Sequence, residues 1–173
     1  MLDTIIVKQA KDAVTLETIF RERYRALVLE CGVPAPPMAH AWQRMEDADD
    51  FESIQIAALD GDRLLGAIRL QIDTAPEWLR ERMPAGTDRL RFGYVSRCFV
   101  SVGVRGTGVF RRLCEAAYAI GREQGLRAGF CHCRPELLPL YRRMGWQVVD
   151  GEFVHPATGP QFALYKDLDG SHA

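Results

Sequence analysis

The stretch that decides the fold is residues 100–125, which read VSVGVRGTGVFRRLCEAAYAIGREQG. A hydrophobic strand ends near Val100, a glycine-rich loop follows, and a helix is predicted over residues 109–124. Apolar residues recur there at helical spacing, at positions 109, 113, 116, 117 and 120, and Gly125 suits the carboxyl-terminal cap. The order of strand, glycine-rich loop and helix is the clearest local signal in the chain.

The loop Arg105-Gly106-Thr107-Gly108 has the composition of an anion site. Glycines let backbone amides turn towards one point without steric cost, and that point is also the positive end of the helix dipole. Arg111 and Arg112 add positive charge, and residues 80–112 hold eight arginines against two acidic residues. The pattern predicts a site for phosphate oxygens. The alternative is a tight turn whose arginines form a solvated face.

Two familiar nucleotide motifs do not fit this loop. It is not followed by the Gly-Lys-Ser/Thr that the phosphate loop of nucleotide hydrolases needs, and it lacks the three spaced glycines of the dinucleotide-binding fingerprint. We therefore expect the loop to bind a diphosphate that belongs to another kind of ligand.

Length and composition predict a single globular domain over residues 1–173, since the chain is 47% hydrophobic and 26% charged. A net charge of −1 excludes nucleic-acid binding that is driven by bulk charge. No apolar run reaches membrane-spanning length, so no membrane association is expected. The first residues lack the basic start and apolar stretch of a signal peptide, which predicts a cytoplasmic protein.

The cysteines predict free thiols, because their number is odd and no secretion signal accompanies them. They are Cys31, Cys98, Cys114, Cys131 and Cys133. The run Cys131-His132-Cys133 invites a metal interpretation, but zinc ligand pairs leave two or more residues between cysteines and need a second pair. We expect no metal.

The remaining periodicity predicts an α/β (α+β) protein with a central, mixed, twisted sheet flanked by helices. Strands are expected at residues 5–7, 54–59, 64–72, 91–100, 126–133, 146–149 and 161–165. Helices are expected at residues 12–30, 74–82, 109–124 and 136–143. Residues 32–38 are rich in proline and predict a rigid loop, whereas residues 38–50 are ambiguous.

The glycine-rich loop resembles motif A of the GNAT acyltransferase superfamily, Arg/Gln-x-x-Gly-x-Gly/Ala, with Phe110 in place of the last small residue. Farther on, Tyr141-Arg142-Arg143-Met144-Gly145-Trp146 resembles motif B, Tyr-x-x-x-Gly-Phe. The resemblance implies a GNAT-type fold in which motif A binds the pyrophosphate of acyl-CoA and Tyr141 protonates the departing thiolate. It assigns donor binding to Cys98, Phe99, Val100, Arg105, Gly106, Thr107, Gly108, Val109, Phe110 and Arg111.

The amino-terminal half also resembles the branch of acyl-homoserine-lactone synthases and N-acyl amino acid synthases. The matching segments are Arg23-Tyr24-Arg25, Asp47-Ala48-Asp49-Asp50, Gly66-Ala67-Ile68-Arg69-Leu70 and Ser96-Arg97-Cys98. The resemblance implies a charged cluster that shapes the acceptor site, made of Arg25, Asp47, Asp50, Arg69 and Arg97. It also implies that the donor can be an acyl group on the phosphopantetheine of an acyl carrier protein. The chain departs from these synthases at Tyr94, where they carry Glu.

Acyl transfer to an amine needs a donor for the developing oxyanion, a base for the ammonium and an acid for the thiolate. Backbone amides near residues 98–100 are candidates for the oxyanion site, and Tyr141 is the candidate acid. The base is open among Tyr94, Glu136, His132 and a water chain. A cysteine nucleophile in a ping-pong scheme is a further alternative.

These observations predict an N-acyltransferase that moves an acyl group, which can be acetyl, from an acyl-CoA or carrier-protein thioester to the amine of a small molecule. A narrower alternative is an N-acyl amino acid or autoinducer-like synthase that uses acyl carrier protein. A third is a non-catalytic sensor of acyl-CoA or carrier protein. Edge strands near the carboxyl terminus would allow a homodimer, and the sequence does not decide the oligomeric state.

Overall fold

The computed structural model describes residues 4–169, apart from the side chain of residue 88. The expectation about a signal peptide concerns residues 1–3 as well, and these lie outside the described residues. The strands are β1 (Ile5–Gln9), β2 (Ile54–Asp60), β3 (Arg63–Ile72), β4 (Phe92–Val100), β5 (Ala128–Cys133), β6 (Gln147–His155) and β7 (Gly159–Asp167). The α-helices are α1 (Ala13–Arg23), α2 (Pro37–Trp42), α3 (Glu77–Arg80), α4 (Val109–Glu123) and α5 (Leu138–Arg143).

The seven strands form a mixed sheet in the order β1-β2-β3-β4-β5-β7-β6, so the predicted mixed sheet with flanking helices is confirmed. Strands β4 and β5 are parallel, whereas β1 with β2, β2 with β3, β5 with β7, and β6 with β7 are antiparallel. The chain divides into two compact units. The first unit comprises the described residues up to Leu70 together with Arg97–Ala117, and the second comprises Gln71–Ser96 and the described residues from Tyr118 onward.

The helical region predicted over residues 12–30 is two segments rather than one. Asp12 caps α1 by accepting a hydrogen bond from the Thr15 amide at 2.8 Å. After α1 the chain widens into a π-helical segment, Tyr24–Glu30. A π-helix carries extra residues in each turn, so a search for 3.6-residue periodicity does not separate it from an α-helix. The ambiguous residues 38–50 contain most of α2 and begin the 3₁₀ helix Ala48–Phe51.

The last hairpin is longer than the predicted strands at residues 146–149 and 161–165. Gly151 and His155-Pro156 predict that the strand ends before them, but β6 continues through Gly151 to His155. The register with β7 shifts between Val148 and Glu152, so a bulge absorbs the glycine without ending the strand.

Each unit has its own apolar core. In the first unit the core consists of Ala10, Ile19, Phe20, Ala26, Ala57, Leu64, Ala67 and Phe99. In the second unit it consists of Ala75, Leu79, Phe92, Tyr94, Ala128, Phe130 and Ala163. Two residues that the sequence suggested for function, Phe99 and Tyr94, therefore also serve packing.

Gly66 on β3 lies where the backbone of β4 approaches most closely within the first unit. A Cβ atom at this position would lie 2.6 Å from the carbonyl oxygen of Phe99 and 3.2 Å from the Cα of Val100. Backbone atoms cannot swing aside as a side chain can, so a methyl group here would push the two strands apart. The close approach holds the end of β4, from which the glycine-rich loop departs.

Arg23 is buried completely in the first unit, at 0% exposure, and its charge is neutralised there. Its NH1 group lies 2.9 Å from both carboxylate oxygens of Asp50, and its NH2 group donates to the Oε1 of Gln55 at 2.8 Å. Burial lowers the pKa of the Arg23 guanidinium, and the charge of Asp50 opposes this shift. Arginine remains protonated under such conditions, so this is a buried ion pair.

Arg25 is the natural comparison for Arg23, because two helical residues are separated by about half a turn. Its side chain is exposed and contacts Glu22 at 3.2 Å. The two arginines of Arg23-Tyr24-Arg25 therefore have opposite environments.

We expect the substitution Gly66→Ala to lower the free energy of unfolding by about 1–3 kcal/mol, because the added methyl overpacks the β3–β4 contact. The matched control is Gly129→Ala on β5, where the nearest atom to a new Cβ is a ring carbon of Trp146 at an ordinary 3.5 Å. Urea denaturation of both variants measures the difference. Equal stability of the two variants would contradict the close approach at Gly66.

We expect Arg23→Met to cost about 3–5 kcal/mol of stability, because it leaves the Asp50 carboxylate buried with less compensation. Arg25→Met removes only an exposed ion pair and is expected to change stability by no more than about 0.5 kcal/mol. Thermal and urea unfolding of the two variants provide the measurement. A loss of similar size in both variants would rule out the special role of Arg23.

Candidate functional site

Alternating charges in the first unit form a ladder that leads from the core towards solvent. The charged ladder comprises Arg23, Asp50, Arg69, Asp47 and Arg97. Arg69 NH1 lies 3.2 Å from Asp50 Oδ1 and 2.5 Å from Asp47 Oδ1, and Arg97 NH2 lies 2.7 Å from Asp47 Oδ2. The side chain of Arg69 is only 4% exposed, whereas those of Asp47 and Arg97 are 32% and 30% exposed. The outer pair, Asp47 with Arg97, is thus the part that a ligand can reach.

A short 3₁₀ helix fixes the two carboxylates of the ladder. Asp47 caps this helix, and the Asp50 side chain accepts a hydrogen bond from the Asp47 amide at 2.9 Å. This reciprocal capping box holds both aspartates in one orientation. Residues 47–50, at the end of the segment that was ambiguous in sequence, are therefore ordered, and the carboxylates of Asp47 and Asp50 contact arginines.

Arg97 has an unusual backbone for a residue within a strand, with a φ of 52°. A non-glycine residue in the left-handed region carries strain of about 1 kcal/mol or more, and such residues cluster at functional sites. The break in the extended conformation of β4 falls at the residue whose guanidinium completes the ladder.

Asp47 is ionised at neutral pH. Burial raises the pKa of its carboxyl group, but the positive charges of Arg69 and Arg97 outweigh burial, and the pKa lies below its ordinary value. A carboxylate of lowered pKa is a poor proton acceptor and a good anchor for a cation.

Four of the five residues predicted for the acceptor cluster come together: Asp47, Asp50, Arg69 and Arg97. Arg25 does not join them, and Arg23 occupies the place expected for it. The helical spacing indicates that Arg23 is the buried arginine, because it lies three and four residues after Phe20 and Ile19 on the apolar face of the helix. Gln55, which bonds both Arg23 and Asp50, was not predicted.

The two glycines of the glycine-rich loop adopt positive φ angles, and the space beside both is open. Gly106 and Gly108 have φ angles of 81° and 90°, and a Cβ on either would meet no atom within 4 Å. The amide of Arg112 bonds the carbonyl of Gly108 at 3.1 Å, which begins the hydrogen bonding of α4. Residues 109–111 form the first turn of α4, at the positive end of a 15-residue helix.

The arginines around this loop contact other groups of the protein. Arg105 donates to the Val100 carbonyl at 3.0 Å and to the Glu30 carboxylate at 2.6 Å. Arg111 lies 3.6 Å from Glu115, and Arg112 donates to the Ile5 carbonyl at 3.4 Å.

The other residues predicted for donor binding offer backbone rather than side chains. Phe99 and Val109 are buried, and the Thr107 hydroxyl donates to the Val104 carbonyl at 2.6 Å. Cys98, Val100 and Phe110 are half-buried.

The cysteines are poorly suited to nucleophilic attack. Burial raises the pKa of the Cys98 thiol well above its ordinary value. Burial, with a smaller contribution from the charge of Glu136, raises the pKa of Cys133 to about 11. Because the thiolate is the nucleophile, protonated thiols at neutral pH disfavour the ping-pong alternative.

The catalytic candidates lie in the second unit. The buried Tyr94 shares a hydrogen bond between its hydroxyl and the Nδ1 of His132, at 3.1 Å. Glu136 is exposed, and its carboxylate lies 3.5 Å from the Nε of Arg134. The structure thus brings Tyr94 to His132 and gives Glu136 a different partner.

Tyr141 is buried on α5 and packs edge-on against Trp146, with ring centroids 6.1 Å apart. Trp146 in turn donates from its indole nitrogen to the hydroxyl of Tyr118 at 2.7 Å. Lys166 donates to the Met144 carbonyl at 2.7 Å, at the end of α5, and lies over the Tyr118 ring. Motif B is therefore an aromatic cluster that fixes the ring of Tyr141.

Across residues 4–169, no group of three or more His, Cys, Asp or Glu side chains is arranged to hold a metal ion. Within the same residues, no helix has the length and apolar character needed to cross a membrane.

Several solved structures share this fold. The synthase FeeM from uncultured soil microbes superposes with a TM-score of 0.78 at 11% identity, covering 96% of this chain and 92% of that chain. BjaI, a CoA-dependent acyl-homoserine lactone synthase, superposes with a TM-score of 0.74 at 22% identity, covering 95% and 83%. A Lactobacillus plantarum protein described as an N-acetyltransferase superposes with a TM-score of 0.74 at 17% identity, covering 96% and 99%. These matches confirm the predicted GNAT-like fold.

No curated protein matches the chain in sequence. The sequence profile of the N-acyl amino acid synthase FeeM, by contrast, matches residues 18–166. The matched segment includes the charged ladder, the glycine-rich loop and motif B. The chain therefore belongs to the FeeM family of N-acyl amino acid synthases, which are N-acyltransferases.

Proposed function

We propose that this chain is an N-acyl amino acid synthase that transfers an acyl group from a phosphopantetheine thioester to the α-amine of an amino acid. The donor is an acyl-CoA or an acyl carrier protein, which share the phosphopantetheine arm. The observation that carries the proposal is the half-exposed outer pair of the charged ladder, in which Asp47 and Arg97 present opposite charges side by side. Family membership supports the same narrower alternative over a general acetyltransferase.

The outer pair complements an amino acid because the acceptor carries a carboxylate beside its amine. A guanidinium has five N–H donors, and one bond to Asp47 leaves donors for a ligand carboxylate. Asp47, with its lowered pKa, attracts the ammonium form of the acceptor without removing its proton. The buried rungs, Asp50 with Arg23 and Arg69, keep both outer groups in place.

The donor would be held by the amides at the start of α4. These groups bind phosphate oxygens, which both forms of the donor supply. The backbone near Cys98–Val100 is our candidate for the oxyanion site, and Arg105 acts indirectly by fixing the loop through Glu30.

The reaction is written as one direct transfer. The neutral amine attacks the thioester carbon, the new C–N bond forms and the C–S bond breaks. Tyr141 gives its hydroxyl proton to the leaving thiolate, which is its proposed role as general acid. The attacking nitrogen releases one proton to solvent as the amide forms, and Tyr141 regains a proton from solvent. The raised pKa of Cys98 and Cys133 favours this direct route over a cysteine intermediate.

We expect thiol release that depends on an added amino acid when the protein is given acetyl-CoA, a long-chain acyl-CoA or acyl carrier protein. Each amino acid is paired with the amine that lacks its carboxylate, such as phenylalanine with phenethylamine. Arg97→Gln is expected to raise the KM for the amino acid at least about tenfold, because it removes a charge-assisted hydrogen bond, and to leave the KM for the amine unchanged.

The matched control in this assay is Arg25→Gln, which removes an exposed arginine outside the ladder and is expected to behave like the wild type. Absence of amino-acid-dependent release with all three donors would refute the proposed function. Equal use of the amino acid and its decarboxylated amine would refute the role of Arg97.

We expect Gly108→Gln to abolish donor binding without unfolding the protein, because its side chain would fill the open space beside the loop. The matched control is Gly61→Gln in the turn between β2 and β3, where φ is 58° and a Cβ also meets no atom within 4 Å. Both variants carry the strain of a non-glycine residue at positive φ, so their thermal stabilities should fall together. Calorimetry with CoA measures binding, and unchanged affinity in Gly108→Gln would show that the loop is only a turn.

A further inference from the structure

Three titratable side chains from three strands meet in the second unit. Tyr94 on β4 shares the 3.1 Å hydrogen bond with His132 on β5. The imidazole of His132 stacks on that of His155, at the end of β6, with centroids 5.6 Å apart and planes only 3° from parallel. Both imidazoles are half-buried. We name this group the Tyr–His relay: Tyr94, His132 and His155.

Trp78 holds the two imidazoles in place. Its ring is edge-to-face with both His132 and His155, at centroid distances of 5.1 and 5.4 Å, and it stacks on Phe153 at 5.0 Å. The ring of Tyr94 lies nearly parallel to His132 as well, at 6.1 Å. With its ring fixed on several sides, His132 keeps one nitrogen directed at the tyrosine hydroxyl.

The Tyr–His relay could remove a proton from the acceptor amine, a step to which the proposed function assigns no residue. The acceptor amine arrives as an ammonium ion and must lose a proton before it attacks. Phenol alone is a poor base at neutral pH, because its ordinary pKa is about 10. A neutral imidazole that is hydrogen-bonded to the phenol makes it a better base, because the imidazole can accept the hydroxyl proton as the phenol oxygen takes a new one.

We propose that Tyr94 and His132 together are the general base of the acyl transfer, with His155 as a positioning residue. A proton moves from the acceptor nitrogen to the Tyr94 oxygen as the original hydroxyl proton moves to His132 Nδ1. The tyrosine stays neutral, and an imidazolium forms. The inference rests on the proposed function and assigns its missing base.

The surroundings of the relay bear on its protonation. Charge and titratable groups come from each neighbouring element: Arg82, whose guanidinium lies 4.7 Å from the Phe153 ring centre; Tyr165 on β7, which packs against Phe130; and the stacked His155. Burial raises the pKa of Tyr165, so that phenol is neutral.

The test compares Tyr94→Phe and His132→Gln with the wild type, using kcat from pH 5 to 9 and two acceptors. One acceptor is an amino acid, whose amine is protonated at neutral pH. The other is methoxyamine, whose weakly basic amine is already neutral. We expect kcat with the amino acid to fall about 10²- to 10⁴-fold in both variants, and kcat with methoxyamine to fall far less. His132→Gln should also remove the acidic limb of the pH profile.

The matched control is a second tyrosine–histidine pair. Tyr24 and His40, in the first unit, share a hydrogen bond of 3.0 Å between the same two kinds of atom. Tyr24→Phe removes that bond and is expected to leave the acceptor dependence and the pH profile unchanged. His155→Gln is expected to lower kcat less than His132→Gln does and to shift the acidic limb rather than remove it.

Three outcomes separate the proposals. If the wild type releases no thiol with any amino acid, the proposed function and the relay fall together. If the wild type turns over and His132→Gln retains the acidic limb, or if Tyr94→Phe or His132→Gln loses activity equally with both acceptors, the relay alone is refuted. Tyr94→Phe keeps the buried ring, so it tests the relay even if His132→Gln disturbs folding. Calorimetry of donor binding to each variant shows whether its donor site is intact.

Discussion

The need to neutralise one buried arginine organises the first unit. Arg23 lies wholly within the core, where an unpaired charge would cost several kcal/mol. Asp50 neutralises the charge of Arg23 and also forms an ion pair with Arg69. Asp47 supplies the second carboxylate that the buried Arg69 contacts. Asp47 in turn draws Arg97 to the half-exposed end. The pairing of the buried Arg23 thus fixes the positions of the outer pair through consecutive ion pairs, and we propose that this outer pair binds the acceptor.

The proposed donor site and the proposed general base depend on a different constraint. Their geometry is set by backbone conformation and by the packing of aromatic rings, rather than by ion pairs. The loop before α4 contains two glycines at positive φ, and the nearby Arg105 and Arg111 pair with Glu30 and Glu115. In the second unit, ring packing orients His132 towards Tyr94. In our proposal the proton acceptor comes from the neighbouring strand β5, which carries His132.

Local pattern predicted the strands, α4 and the glycine-rich loop, because each depends on residues close together in sequence. It did not separate Arg23 from Arg25, since the choice rests on which side of the helix meets the core. It also did not predict the ion pair between Arg105 and Glu30, because these residues are 75 positions apart and only tertiary structure joins them. The extended last hairpin was missed because a bulge accommodates Gly151, and the hydrogen bond between Tyr94 and His132 required the register of two strands.

The buried half of the charged ladder has a consequence for any attempt to make this protein more robust. Replacing a buried ion pair with well-packed apolar side chains of similar volume often stabilises a protein. Here such a replacement would release Arg69 and Asp47 from their fixed geometry, and the outer pair would then have to be organised anew by each incoming substrate. Thermostability and catalytic preorganisation therefore compete at Arg23 and Asp50, so stabilising changes are better sought among residues that the ladder does not touch.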